Sequence, residues 1–217
     1  MRLIENLKQS GLVSGEQLMA ALAESSTPEG ILQHLNRQGL LTQWQTHSLL
    51  AGQKQFFIGK YKLLNEVAKG GTGVVFRAVE LRGMQREVAI KVLAPEYGQD
   101  AEHVRRVHRE IEIAASLLHR NIVTVIEAGN LDQTPYLVME YERGKTLLEW
   151  TRRFGSLPIE WSCECARQVA VALEFLDERG ILHRDIKPSN ILVRDDRAIS
   201  HPHVKVLDLG LARLREV

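Results

Sequence analysis

Cysteine, charge of one sign and long apolar stretches are all scarce in this 217-residue chain. The only cysteines are Cys163 and Cys165. Two are too few for a disulfide scaffold or for a zinc site built from four cysteines. Lys and Arg total 28 against 27 for Asp and Glu, a net charge of +1. That balance gives no electrostatic footprint for nucleic acid or an anionic membrane, and no acidic tail is present. No apolar run approaches the ~18 residues of a membrane span. The opening Met1-Arg2-Leu3-Ile4-Glu5-Asn6 has no apolar signal core and carries Glu5. What remains is ordinary globular composition, 44% hydrophobic and 25% charged. The length suits one domain, or a small domain plus most of a second. The expectation is a soluble, cytoplasmic protein of a reducing compartment.

Residues 1–55 read as short helices. Ser10-Gly11-Leu12-Val13-Ser14-Gly15-Glu16-Gln17 is echoed 28 residues later by Gln38-Gly39-Leu40-Leu41-Thr42-Gln43-Trp44-Gln45. Each copy ends in a capping box, Ser14 with Gln17 and Thr42 with Gln45, in which hydroxyl and amide satisfy orphan N–H groups at a helix start. Residues 25–30 read as a break. The segment is expected to stand largely apart from the rest of the chain, as a docking or regulatory module or as a plain helical cap. Near Phe56 the character changes. Runs at 61–67, 74–79 and 87–93 are strand-like, with a turn at Arg82-Gly83-Met84-Gln85. A helix is expected over 100–118, because Val104, Val107, Ile111, Ala114 and Leu118 share one face. Strands are expected next at 122–128 and 136–140. The simplest arrangement is a five-stranded antiparallel sheet with one helix on it. Beyond Gly144, Trp161, Cys165, Val169, Ala172 and Leu176 form a helical stripe ended by Gly180. Short strands are expected at 191–193 and 204–207. Cys163 and Cys165 point to different faces of that helix and read as structural.

Four motifs carry chemistry. Ala68-Lys69-Gly70-Gly71-Thr72-Gly73-Val74-Val75 lies between strands, so its glycines allow close approach of backbone to phosphate; a plain glycine hairpin is the alternative. In Val88-Ala89-Ile90-Lys91, a lysine within an apolar strand is costly unless it meets an anion, and a snorkelling edge lysine is the alternative. Glu110 is the candidate partner, with Glu102 and Glu112 equal on charge alone. His183-Arg184-Asp185-Ile186-Lys187-Pro188-Ser189-Asn190 sets a carboxylate and an amide a few residues apart, suited to a hydroxyl proton and a hard cation. Six fixed positions of that kind match by chance once in roughly 10⁷–10⁸ tries. Val206-Leu207-Asp208-Leu209-Gly210 puts an acid after a short apolar strand.

The order of the four motifs resembles the protein kinases. Gly70-Gly71-Thr72-Gly73-Val74-Val75-Phe76 and Tyr136-Leu137-Val138-Met139-Glu140-Tyr141 resemble the bacterial eukaryotic-type serine/threonine kinases. The helical lead-in and Gly59-Lys60-Tyr61 look planctomycete-like. The resemblance implies an α+β, protein-kinase-like fold: a kinase domain over 59–217, with a small lobe over 59–142 and part of a mainly helical large lobe over 143–217. It implies ATP and Mg²⁺ as cofactors and a protein Ser/Thr hydroxyl as acceptor, while the balanced charge and the lack of a long apolar run speak for no nucleic-acid partner and no membrane segment in this chain. Ala68, Gly70 and Gly73 would cover the phosphates, with Ala68 where glycine is usual. Val75, Ala89 and Leu192 would wall the adenine, Met139 would be the gatekeeper, and the backbone of Glu140 and Glu142 would bond the adenine edge. Lys91 would hold phosphates, oriented by Glu110. Asp185 would take or orient the hydroxyl proton, Lys187 would steady the γ-phosphate, and Asn190 and Asp208 would ligate Mg²⁺. Leu209 stands where phenylalanine is commoner.

The sequence ends at Val217, seven residues after Gly210. The resemblance therefore implies a domain incomplete at its C-terminus, without an activation segment to pair with Arg184. It implies an uncovered stripe on the helix of Trp161, Val169 and Leu176, and missing support for Asp185 and the Asp208 strand. Two function classes stand open: a serine/threonine kinase whose 217-residue form turns over poorly, or a non-catalytic nucleotide-binding or interaction module derived from one.

Overall fold

The computed structural model describes residues 2–94, 115–131, 134–194 and 202–208. The chain divides into two compact units, Met1–Val92 and Leu93–Val217. Most of the helix expected over 100–118 lies outside the described residues; at its end the helix stops at Ser116, and Leu117 is buried while Leu118, expected on the apolar face, is exposed.

The first unit opens with α1 (Arg2–Ser10), α2 (Gly15–Glu24), α3 (Pro28–Arg37) and α4 (Gln43–Leu50). Both expected capping boxes form, at Ser14 and Thr42. The expected break at 25–30 is in part a helix start. Thr27 caps Gly30 N–H, and Pro28 sits at the first turn, where its missing N–H is not needed. Leu7, Ala21, Leu32, Leu35 and Leu49 form the helical core, together with Phe56.

A run of strands comes next, in the order β1 (Phe57–Ile58), β2 (Tyr61–Gly70), β3 (Gly73–Glu80) and β4 (Glu87–Leu93). The two-residue β1 is too short to leave a period in the sequence. The β2–β3 pairing slips twice, between Leu63 and Asn65 and between Glu66 and Ala68. The helices do not stand apart from this sheet. Helix α4 packs on β2, with Gln45 donating to the Leu63 carbonyl at 2.6 Å. A capping-box glutamine looks locally satisfied in sequence, so its second partner was not legible there.

In the second unit, β5 (Val125–Leu131) and β6 (Thr134–Glu140) pair antiparallel. Then come β7 (Gly144–Thr146), α5 (Leu147–Phe154), α6 (Ile159–Asp177), a 3₁₀ turn at Pro188–Asn190, β8 (Ile191–Arg194) and β9 (Val204–Val206). Strands β7, β8 and β9 form a small antiparallel sheet in that order. Gly144 is required here, since any Cβ would strike the Val193 carbonyl. Helix α6 ends as expected. Gly180 adopts φ +70, and Ile181 N–H bonds back to the Leu176 carbonyl at 2.9 Å.

The α6 stripe is not left uncovered. Cys165, Val169, Ala172 and Leu176 are buried against Leu117, Ile122, Ile181, Ile191, Val193, Val204 and Val206. The cover comes from β8, β9 and the segment before β5. Trp161 packs at the edge of the same cluster. Burial, followed by the charge of Glu164, pushes the Cys165 thiol up to about 11, while Cys163 is exposed. Cys165 is thus a protonated core residue at neutral pH.

Lys205, in the middle of β9, is only 7% exposed. Its Nζ donates to Glu140 Oε1 at 2.6 Å and to the Ile122 carbonyl at 3.2 Å. Glu140 also accepts from Thr124 N–H at 2.8 Å. Burial alone pushes the Glu140 carboxyl up, but the bonds from Lys205 and Thr124 outweigh it and hold the group below its ordinary value. Removing one partner of such a pair strands the other. Glu140 keeps some solvent contact, so Lys205→Met is expected to lower stability at pH 7 by about 2 kcal/mol in urea unfolding. A depressed carboxylate pKa contributes stability above the unfolded value of 4.5 and loses it as pH falls through the folded value. The difference between wild type and variant should therefore narrow below pH 4.5.

Candidate active site

Residues 183–190 form a loop that is closed on itself. Ile181 and His183 are buried and anchor its start. Arg184 then turns the chain at φ +59, a left-handed conformation uncommon for a side-chain-bearing residue. Pro188 opens the 3₁₀ turn, where its fixed φ suits the first position and its lack of an N–H is harmless. That turn is held by Asn190 N–H on the Lys187 carbonyl at 2.8 Å. The Asn190 side chain completes the closure. Its Nδ2 donates to the Asp185 carbonyl at 3.0 Å and to Asp185 Oδ2 at 2.9 Å.

Asp185 is thereby aimed from two sides. Lys187 Nζ lies 2.7 Å from the same Oδ2, with both side chains half exposed. The Lys187 hydrogen bond is the largest influence on the Asp185 carboxyl; with help from Asn190 and His183 it holds the group below its ordinary range. Asp185 is therefore ionised at neutral pH, with an oxygen available to a hydroxyl donor at the surface.

The loop also fixes the end of β9. Asp185 N–H points at His183 Nδ1 at 3.3 Å, so the ring proton belongs on Nε2, which lies 3.1 Å from the Leu207 carbonyl. Leu207 N–H in turn donates to the Asn190 carbonyl at 2.8 Å. Leu207 is held through both its N–H and its carbonyl, and Asp208 comes next at φ +52. Non-glycine residues in this region carry strain and concentrate at functional sites. The Asn190 amide nitrogen is engaged by Asp185, which leaves its oxygen to face a ligand. An amide oxygen and a carboxylate are hard donors that fit a small divalent cation. Leu209 and Gly210 lie outside the described residues.

A second support comes from α6. Asn121 Nδ2 donates to Gln168 Oε1 at 2.8 Å and to the Val204 carbonyl at 2.9 Å. Gln168 Oε1 accepts Val204 N–H, and its Nε2 donates to the Pro202 carbonyl. Val206 N–H bonds the Asn121 carbonyl at 2.7 Å. Asp185 and β9 are thus held by Asn190, Asn121 and Gln168 of the chain itself.

The remaining candidates lie on the strands of the two units. Met139 pairs with Val125 in the β5–β6 ladder. Glu140 N–H is taken by the Thr124 carbonyl at 3.0 Å, so an adenine would meet the Glu140 carbonyl rather than its N–H. The Glu142 carboxylate pairs with Arg194 Nε at 3.1 Å. Leu192 is buried in β8, between Thr146 and Lys205 in the ladder. In the first unit, Ala68 opposes Val75 and Gly70 opposes Gly73, which close an exposed hairpin around Gly71-Thr72. Gly73 has φ +137, a backbone that side chains rarely adopt. Ala89 and Lys91 share one face of β4, opposite Val88 and Ile90. Lys91 is only 4% exposed, so it is not a snorkelling edge lysine. Glu110, Glu102 and Glu112 lie outside the described residues.

Sequence reasoning missed His183, Lys205, Asn121 and Gln168 as positioning groups. A signal for Lys205 existed, because Val204-Lys205-Val206 is a lysine in an apolar strand, as Lys91 is. Asn121 and Gln168 give no local signal; their roles arise from partners 47 and 83 residues away.

Residues 61–216 match the protein kinase domain family. The chain is 39% identical over 155 residues to the serine/threonine-protein kinase PrkC of Bacillus subtilis, covering 71% of this chain and 23% of that protein. It thus spans about a quarter of that relative's length. Among solved structures, the Mycobacterium tuberculosis PknI kinase domain is 29% identical with a TM-score of 0.61, over 72% of this chain and 62% of that one. Rad53 residues 1–466, in complex with AMP-PNP, is 26% identical with a TM-score of 0.61, over 76% and 42%. The α+β fold is that of these kinases, and the chain belongs to the protein kinase family.

Proposed function

We propose that this chain binds ATP with a divalent cation and transfers the γ-phosphoryl group to a serine or threonine hydroxyl of a protein. The observation that carries this reading is the closed loop in which Asn190 and Lys187 hold a charged Asp185 at the surface. This arrangement favours the kinase reading over a non-catalytic derivative. The relatives named as serine/threonine kinases, and the Rad53 complex with AMP-PNP, support the nucleotide and the acceptor class.

In this reading Asp185 accepts a hydrogen bond from the attacking hydroxyl and orients its lone pair. The new bond joins that oxygen to the γ-phosphorus as the bond to the β-phosphate oxygen breaks, and the hydroxyl proton leaves toward Asp185. Lys187, beside Asp185, balances charge on the transferring group. Buried Lys91 is a fixed cation for the α- and β-phosphates, and the Gly70–Gly73 hairpin covers them with backbone N–H groups. By likeness to the family, Val75, Ala89 and Leu192 are the apolar residues that would exclude water from the base. Asn190 and Asp208 would hold the cation, of which Mg²⁺ is the best fit to two hard oxygens plus phosphates. That ion supplies neutralisation of the phosphate charge.

Isothermal titration of the chain with ATP is expected to show binding that strengthens with Mg²⁺. Asp208→Ala should remove the Mg²⁺-dependent part and leave the metal-free part in place. Binding that ignores Mg²⁺ in the wild type would contradict the ligand assignment.

Asp185→Asn keeps the shape and the Asn190 contact but cannot take a proton. It should leave ATP affinity within about twofold and lower phosphotransfer by about 10²-fold or more. Equal transfer by wild type and variant would overturn the role of Asp185.

A further inference from the structure

The two capping boxes of the N-terminal helices have the same chemistry but different surroundings. Ser14 and Gln17 lie at the surface, where they bond each other's backbone. Gln45 is fully buried. Its Oε1 accepts Thr42 N–H at 2.9 Å, as the box requires, and its Nε2 donates to the Leu63 carbonyl at 2.6 Å. Thr42 Oγ1 accepts Gln45 N–H at 3.1 Å and donates to the Leu64 carbonyl at 2.6 Å. Each side chain serves the helix with one polar function and β2 with another.

The point of contact on β2 is a bulge. Leu63 opposes Ala78 and Asn65 opposes Arg77, so Leu64 is the extra residue. A bulge bends its strand, increases the local twist and takes backbone groups out of the ladder. The Leu64 carbonyl accepts its hydrogen bond from Thr42. The opposite strand is held too. The Trp44 ring lies 5.5 Å from Phe76 on β3 and 5.7 Å from Phe56, centroid to centroid. Phe76 is three residues beyond Gly73 and opposes Glu66. The start of α4 therefore grips both strands of the glycine hairpin at the base, on the segment whose bend sets where the tip points.

We propose that Thr42, Trp44 and Gln45 are positioning residues for the glycine hairpin, so that the N-terminal helices are part of the nucleotide-binding apparatus rather than an appendage. The proposal rests on the nucleotide-binding reading above. It assigns to the region before the kinase motifs a role in setting affinity for the triphosphate. Anything that loosens α4 from β2 would weaken nucleotide binding without touching a phosphate contact.

The test uses the full 217-residue chain carrying Thr42→Val with Gln45→Leu, which keeps shape and removes both bonds to β2 together with the two capping bonds at the start of α4. Two readouts are taken: affinity for ATP with Mg²⁺, and backbone hydrogen exchange without nucleotide. The expected result is about tenfold weaker ATP binding, a smaller effect than the roughly 10²-fold that a full 1 Å misplacement can cost in rate. Exchange should quicken across 61–76 while β8 and β9 keep wild-type protection. Thr42→Ser, which retains the hydroxyl, should behave as wild type in both. Wild-type affinity in the double variant overturns the proposal. So does exchange that quickens equally in every strand, since that reports general destabilisation. A wild-type chain that binds no ATP overturns instead the nucleotide reading on which this rests, and exchange across 61–76 still reports whether α4 orders the hairpin.

Discussion

The Asn190 side chain is the tie on which the 183–190 loop depends. One amide nitrogen serves both the carbonyl and the carboxylate of Asp185, five residues earlier. A loop of that length loses backbone entropy when ordered, of order 1–2 kcal/mol per residue, and has no ladder of its own to offset it. The offset comes from the closure at Asn190, the 3₁₀ turn after Lys187, and the burial of Ile181 and His183. Because Leu207 bonds both His183 and Asn190, the same tie carries through to Asp208. The proposed base and the proposed cation ligands are thus parts of one hydrogen-bonded assembly.

Beneath this assembly lies an unusually polar core for so small a sheet. Gln168 projects from α6 into the apolar cluster of Val169, Ala172 and Leu176. Both ends of its amide are satisfied, by Asn121, Val204 and Pro202. Lys205 does the same on the other face of β9, tying that strand to Glu140 and Ile122. Buried polar groups destabilise when half satisfied and specify one arrangement when fully satisfied. Here they fix the register of a three-residue strand that apolar contacts alone would hold loosely. That strand leads directly to Asp208.

Much of this was legible in the sequence, and the misses have a common cause. Strand β4 and the capping boxes at Ser14 and Thr42 are local, period-driven features, and they fall where expected. The same holds for Gly180, whose left-handed turn needs only its own residue type. The expectation that the first 55 residues stand apart fails because Gln45 and Trp44 act through Leu63 and Phe76, which no local pattern links to them. The expectation of an uncovered α6 stripe fails likewise, because β8, β9 and Leu117 arrive from outside the helix. Motif spacing singled out Asp185, Lys187 and Asn190 as candidates but not how they touch. That Asn190 would bond Asp185 depends on a loop closed through the left-handed turn at Arg184 and the 3₁₀ turn after Lys187, which composition does not reveal.

The central claim is that Asp185 is held as an oriented, charged carboxylate by Lys187 and Asn190. Its most direct test is a carbon-13 carboxyl titration of Asp185 in the intact chain, monitored by NMR over the pH range where the fold persists. The account predicts a midpoint below the ordinary aspartate value of 3.8, moving upward in Lys187→Met. A wild-type midpoint at or above that ordinary value, indifferent to Lys187→Met, would contradict it.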